Sequence, residues 1–147
     1  MIPERLAALR EKMRAYGVDA YLVPTADYHE SEYVGTYFKA RTYITGFTGS
    51  AGTAVITQDE ACLWTDGRYF VQAAKELAGT GVTLMKMGQE GVPTVEEYLQ
   101  ANTKEGMTIG FDGRVVNEML GETLEKTLPE RFLSYRSDLI GEIWSDR

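Results

Sequence analysis

The sequence predicts an α/β domain in which a mixed β-sheet carries helices on both of its faces. Two observations predict this class. Helical and strand-like segments alternate along most of the 147 residues, and one pair of strands is separated by only a short polar turn. Alternation is typical of parallel strands joined by helices, whereas a close pair forms an antiparallel hairpin. The length suits one domain, so we expect residues 1–147 to form a single unit.

The first part of the chain is expected to hold one helix, one strand and a long loop. Apolar residues recur at spacings of three and four over Pro3–Tyr16, which predicts an amphipathic helix that ends at Gly17. The stretch DAYLVP predicts a buried strand that Pro24 ends, because proline has no N–H to offer a sheet. Residues Thr25–Thr42 are polar and aromatic without a clear period, which predicts a long surface loop that can include one short helix.

The remaining elements alternate between strands and helices. TAVIT and ACLWT are strand-like runs separated by the polar QDE, which predicts a hairpin. A helix over DGRYFVQAAKEL should begin near Asp66 or Gly67, and a helix over TVEEYLQA should have Thr94 as its N-cap. Strands are predicted over VTLMKM, MTIGFD and RFLSYR, a further helix over VVNEMLGETLEKTL, and a helix or turn over DLIGEIW.

Three glycines, Gly46, Gly49 and Gly52, lie within seven residues of the stretch ITGFTGSAGTAVIT and raise the question of a phosphate-binding loop. A P-loop needs a lysine after its last glycine, and none follows here. A dinucleotide fingerprint follows a strand and opens a helix, whereas this stretch precedes a strand and offers no helix N-terminus to an anion. We therefore expect these glycines to serve the backbone, through positive φ angles and close approach.

Composition argues against several classes of function. With 15 basic and 22 acidic residues the net charge is −7, a field that repels nucleic acid and anionic lipid, so we expect neither as a partner. No apolar run approaches the ~20 residues of a membrane span. The charged N-terminus lacks the apolar segment of a secretory signal, so we expect a cytoplasmic protein. The single cysteine, Cys62, lies in an apolar strand and is expected to be a buried, inert thiol.

The segment WTDGRYF, between the hairpin and the next helix, holds the strongest candidate site. Strand ends are common ligand positions in α/β sheets, and the Arg68 guanidinium can grip a carboxylate or a carbonyl. The residues alone also fit a structural interpretation, in which Asp66 caps the helix, Arg68 is solvated or pairs with Asp66, and Tyr69 and Phe70 pack. His29 matches no metal-ligand spacing, so we expect a hydrated loop histidine and no metal site in this chain.

Four segments carry a family resemblance: YITGFTGSAGTAVIT, CLWTDGRYFVQAAKEL, LMKMG and DLIGEIWSDR. Together they resemble the N-terminal domain of the cytosolic Xaa-Pro aminopeptidases, which belong to the creatinase/prolidase group of metallopeptidases. The resemblance extends from DAYLVPTADYHESEY to Arg147. It implies a ribonuclease-H-like mixed sheet flanked by helices, and a C-terminal catalytic domain of pita-bread fold that these residues do not include.

The resemblance also implies a reaction for the whole enzyme, which removes the N-terminal residue from peptides whose second residue is proline. Two divalent metal ions, expected to be manganese, activate the water in the missing domain. We therefore expect this chain to hold no cofactor and no catalytic residue, and to be inactive by itself. The arginine of WTDGRYF reaches toward the substrate in that family and corresponds to Arg68. Asp66, Tyr69 and His29 are weaker candidates at the edge of the cleft.

A homodimer of the full-length protein is a further implication, because N-terminal domains of this group take part in dimer contacts. Aromatic residues of the long loop can supply such contacts or simply pack: Tyr33, Tyr37 and Phe38. Two other functions stay open. One is a non-catalytic creatinase-like module that binds peptides or proteins, for which the acidic charge allows a basic partner. The other is a ribonuclease-H-type nuclease with Asp19, Asp66 and Asp112 near strand ends, which the acidic field opposes.

Overall fold

A computed structural model describes residues 2–23, 40–49, 52–111, 126, 128, 130–134 and 139–143. In these residues six strands form one sheet: β1 (Ala20–Val23), β2 (Thr53–Thr57), β3 (Ala61–Thr65), β4 (Thr83–Lys86), β5 (Thr108–Gly110) and β6 (Phe132–Ser134). The described helices are α1 (Ile2–Tyr16), α2 (residues 40–45), α3 (Phe70–Leu77), α4 (Val95–Asn102) and α5 (Leu139–Ile143). The mixed α/β class predicted from the sequence is confirmed.

Most predicted elements are confirmed at their predicted places. Helix α1 ends where Gly17 takes a φ of +73°, a left-handed angle that favours glycine. The runs TAVIT and ACLWT pair as the antiparallel hairpin β2–β3. The helix predicted over VVNEMLGETLEKTL falls almost wholly outside the described residues, and so do the following candidate residues: His29, Tyr33, Tyr37, Phe38 and Asp112.

Strand directions bring five strand ends to one side of the sheet. The order across the sheet is β4-β3-β2-β1-β5-β6. Strand β2 is antiparallel to both of its neighbours, while β3 and β4, β1 and β5, and β5 and β6 are parallel pairs. All strands except β2 therefore end at the same edge, which we call the carboxyl edge. Its defining residues are Val23, Thr65, Lys86, Gly110 and Ser134.

Two hydrophobic cores lie on the two faces of the sheet, as expected for strands buried on both sides. Helices α1, α3 and α5 supply residues to one core, and the second core includes Tyr98 and Leu99 of α4. The strands alternate between the faces: Leu63 of β3 packs in the first core, and its neighbour Trp64 packs in the second. The Trp64 ring meets Tyr98 edge to face at 5.2 Å, and its Nε1 donates to the carbonyl of Pro93 at 2.9 Å.

Candidate functional site

Asp66 and Arg68 form a closed pair where β3 ends at the carboxyl edge. Asp66 caps a single turn of 3₁₀ helix, Gly67–Tyr69, by accepting a hydrogen bond from the Arg68 backbone N–H at 3.0 Å. The Arg68 side chain turns back to the same carboxylate, with Nε donating to Oδ1 at 3.0 Å and Nη2 donating to Oδ2 at 2.9 Å. These side-chain hydrogen bonds lower the pKa of Asp66. One carboxylate thus fixes both the turn and the guanidinium plane.

The guanidinium remains open to solvent despite this pairing. The Arg68 side chain is 70% exposed, and its Cζ lies 5.1 Å from the centre of the Tyr69 ring. The structural interpretation of WTDGRYF is confirmed for three residues: Asp66 caps the turn, Arg68 pairs with Asp66, and Tyr69 packs against the first core. The structure therefore brings together three of the four predicted site residues, and the fourth, His29, lies outside the described residues.

Behind this turn lies the glycine-rich loop, which packs tightly around Phe47. The Phe47 ring meets Tyr69 at 5.9 Å with an interplanar angle of 84°. A Cβ at Gly49 would lie 2.3 Å from Phe47 Cζ, and one at Gly52 would lie 3.1 Å from Cε2, while Gly46 has a φ of +84°. The prediction that these glycines provide positive φ and close approach is confirmed.

Arg41, in α2, is the residue near this site that the sequence reasoning missed. The prediction of a surface loop over Thr25–Thr42 is wrong about the exposure of Arg41, which is helical and only 3% exposed. Its guanidinium donates to the carbonyl of Gly52 at 3.1 Å and to the carbonyl of Gly49. Burial lowers the pKa of Arg41 to about 10, while nearby Tyr69 and Glu76 act to raise it, so the side chain stays charged at neutral pH.

A second set of polar contacts ties the glycine-rich loop to α3. The backbone N–H of Thr48 donates to Glu76 Oε1 at 3.0 Å, and its hydroxyl donates to Oε2 at 2.6 Å. Gln72 donates to both Thr48 Oγ1 and Glu76 Oε1, at 3.1 and 3.2 Å. Burial acts to raise the pKa of Glu76, but the hydrogen bonds from Thr48 and Gln72 and the charge of Arg41 outweigh it and lower the pKa.

The carboxylates proposed for a nuclease do not converge. Asp19 precedes β1 and accepts a hydrogen bond from the Thr108 backbone N–H at 2.9 Å, whereas Asp66 follows β3. Since β1 and β3 run in the same direction, these two residues lie at opposite edges of the sheet. Within the described ranges, no three side chains among His, Cys, Asp and Glu are grouped as metal ligands. These residues do not fit a two-metal centre.

Two further expectations concern the thiol and the membrane. Cys62 is buried and free, as predicted, and burial raises the pKa of its thiol. A thiol with a raised pKa is a poor nucleophile at neutral pH. Among the described helices, none combines the length and apolar character that crossing a bilayer requires.

The fold and the site together define a class: α/β domains with a mixed sheet whose polar candidate site lies at the carboxyl ends of the parallel strands. Comparison with known proteins gives the family. The Creatinase/Prolidase N-terminal domain family matches residues 5–142, so the chain belongs to that family. The family resemblance inferred from the sequence is confirmed.

Individual relatives agree with this assignment. The chain is 45% identical to the "Probable Xaa-Pro aminopeptidase P" of Talaromyces marneffei over 98% of its length, and 41% identical to "Aminopeptidase P2" of Arabidopsis thaliana over 99%. It superposes with a TM-score of 0.87 and 36% identity on the crystal structure of X-prolyl aminopeptidase from Caenorhabditis elegans, described as a cytosolic enzyme with a di-nuclear active site. The chain spans 22% and 21% of the two curated relatives and 26% of that structure.

Proposed function

We propose that this chain is the N-terminal domain of an Xaa-Pro aminopeptidase and that Arg68 helps to bind the peptide substrate. The first part is supported by two relatives that match nearly the whole chain: "Probable Xaa-Pro aminopeptidase P" at 45% identity and "Aminopeptidase P2" at 41%. The second part depends on one observation: a guanidinium held by Asp66 and 70% exposed at the carboxyl edge. This edge is where α/β sheets most often bind ligands.

The geometry of the pair suits the recognition of a peptide group. A guanidinium has five N–H donors in one plane and matches carbonyl and carboxylate oxygens. Because Asp66 already fixes that plane through two side-chain hydrogen bonds, Arg68 loses less conformational freedom when a peptide binds. Tyr69, whose ring lies beside the guanidinium, limits its movement further. Arg68 is therefore proposed to orient the peptide at the edge of the cleft.

We assign activation of the water to a separate catalytic domain, since the chain spans only 22% of the relative named "Probable Xaa-Pro aminopeptidase P". Metal ions bound there would lower the pKa of the attacking water and polarise the scissile carbonyl. By this division of labour the present chain shapes the cleft and hydrolyses nothing by itself. The homodimer and the cytoplasmic location remain predictions for the full-length protein, and sedimentation and cell fractionation test them.

Replacement of Arg68 by alanine tests the proposal in the full-length enzyme. We expect Arg68→Ala to lower kcat/KM on Xaa-Pro peptides by about tenfold, mainly through KM, since an interaction with bound substrate is lost. The matched control is Arg14→Ala, because Arg14 is an exposed arginine that also makes a side-chain hydrogen bond, to Gln58 at 2.6 Å, but at the opposite edge. Its kinetics should match the wild type.

Two results would contradict the proposal. Unchanged kinetics in Arg68→Ala, with the fold intact by circular dichroism, would remove Arg68 from the site. A full-length protein that binds peptides but does not hydrolyse Xaa-Pro bonds with manganese supplied would instead support the alternative of a non-catalytic binding module.

A further inference from the structure

Arg41 is a charged side chain in a place where burial is costly. It is 3% exposed, and its guanidinium bridges the carbonyls of Gly49 and Gly52, two glycines that precede β2 in the sequence. Carbonyl groups of a buried irregular loop need donors, and a planar cation with several N–H groups can serve two at once. The buried Arg41 side chain therefore links the backbone of Gly49 to that of Gly52.

The same cation also lies against the aromatic ring that the loop surrounds. Arg41 Cζ is 5.2 Å from the centre of the Phe47 ring, within the range of cation–π attraction. Gly49 and Gly52 also lie against the Phe47 ring, so closely that a Cβ at Gly49 would clash with it. Phe47 itself is fully buried. Its position is thus set jointly by the cation and by the loop that the cation closes.

Phe47 in turn contacts the turn that carries the candidate substrate-binding residue. Its ring meets Tyr69 edge to face at 5.9 Å, and Tyr69 is the last residue of the 3₁₀ turn, next to Arg68. The Arg68 guanidinium lies 5.1 Å from that same Tyr69 ring. A continuous series of contacts therefore connects the buried Arg41 with the exposed Arg68.

We propose that Arg41 is a positioning residue that sets the location of the Arg68 side chain through Phe47 and Tyr69, while Asp66 fixes the plane of its guanidinium. This inference rests on the proposed function, in which Arg68 binds the peptide. A lysine at this position retains the charge but offers a single ammonium group, which cannot span the two carbonyls as the planar fork does. The loop and Phe47 then relax, and the Arg68 side chain is presented to the peptide less accurately.

A double-mutant cycle in the full-length enzyme tests this coupling. Arg41→Lys alone should raise KM for Xaa-Pro peptides about threefold to tenfold with kcat little changed, because a presentation defect weakens binding. In an Arg68→Ala background the same substitution should change KM by less than about twofold, since no guanidinium is left to position. Partial unfolding alone would lower the active fraction, and so kcat, without changing KM.

Arg131→Lys is the matched control. Arg131 is a partly buried arginine that also donates to two carbonyls, of Gln100 and Thr103, at 3.1 and 2.7 Å, but at the end of α4 away from the site. Its kinetics should equal those of the wild type. If Arg41→Lys does not fold, Phe47→Leu interrupts the same series of contacts one step later and should give the same dependence on Arg68.

The outcomes separate the two proposals. Loss of peptide affinity in Arg68→Ala with an additive effect of Arg41→Lys overturns the positioning role and leaves the proposed function intact. No effect of Arg68→Ala overturns the proposed function and the positioning role with it. A KM effect of Arg131→Lys as large as that of Arg41→Lys would also overturn the inference. The rise in KM would then follow from replacing an arginine that binds two carbonyls anywhere in the fold.

Discussion

At the scale of single residues, the three glycines of the loop before β2 serve two different physical needs. Gly46 adopts a φ of +84°, where a side chain would be strained. Gly49 and Gly52 have no positive φ, but they leave the space that the Phe47 ring occupies. The loop is therefore a cover for an aromatic side chain, and the absence of Cβ atoms is what allows it to lie so close.

Gly49→Ala should destabilise the fold. The new Cβ would lie 2.3 Å from Phe47 Cζ, so the fully buried ring or the loop must move, and we expect a loss of about 1–3 kcal/mol in the free energy of unfolding. Chemical denaturation measures it. Gly67→Ala is the control, because its Cβ would meet nothing nearer than 4.0 Å and its φ is not left-handed. Equal stabilities of the two variants would contradict this account of the loop.

At the scale of elements, the 3₁₀ turn before α3 and helix α4 both begin with a side chain that accepts from one of their first N–H groups. Asp66 does this for the turn before α3, and Thr94 does it for α4. Thr94 forms a reciprocal capping box: its Oγ1 accepts from the Glu97 N–H at 3.1 Å, and Glu97 accepts from the Thr94 N–H at 2.8 Å. The sequence predicted the Thr94 cap and gave the Asp66 cap as one of two interpretations, because capping depends on residues close together in the chain.

Thr94→Ala should lower the free energy of unfolding by about 1 kcal/mol, since α4 loses the acceptor for its Glu97 N–H. Denaturant titration of the chain measures the change. Glu97→Gln is the matched variant, because glutamine still accepts from the Thr94 N–H and should retain most of the stability. A Thr94→Ala variant as stable as the wild type would show that the cap does not stabilise α4.

The contact between the glycine-rich loop and α3 should respond to acid. The pKa of Glu76 is lowered in the folded chain, so the stabilisation is complete above the ordinary carboxyl pKa and is lost as pH falls through the folded value. Glu76→Gln should therefore flatten the fall in melting temperature measured between about pH 6 and about pH 3. The control is Glu96→Gln, because Glu96 lies in the first turn of α4, away from the contact between the glycine-rich loop and α3. Identical acid profiles in Glu76→Gln and the wild type would exclude this contribution.

At the scale of the whole molecule, the sheet gathers the loop, the 3₁₀ turn and the ends of five strands along one edge. The sequence predicted the hairpin and the alternation of elements, because both are encoded in local periodicity and turn residues. It did not predict the order of the strands, which depends on pairing between residues far apart in the chain. The burial of Arg41 was not predicted for the same reason. Nothing within residues 25–42 shows that a guanidinium there will bind the carbonyls of Gly49 and Gly52.

The position of β1 has a consequence for how the chain folds. Strands β2, β3 and β4 follow one another in sequence and are neighbours in the sheet, so their pairing closes only short segments of chain. Strand β1 instead lies between β2 and β5, and its pairing with β5 must close a much longer segment. We therefore expect the β2–β4 unit to form early in folding. The two halves of the sheet are then expected to become one cooperative unit only when β1 is inserted between them.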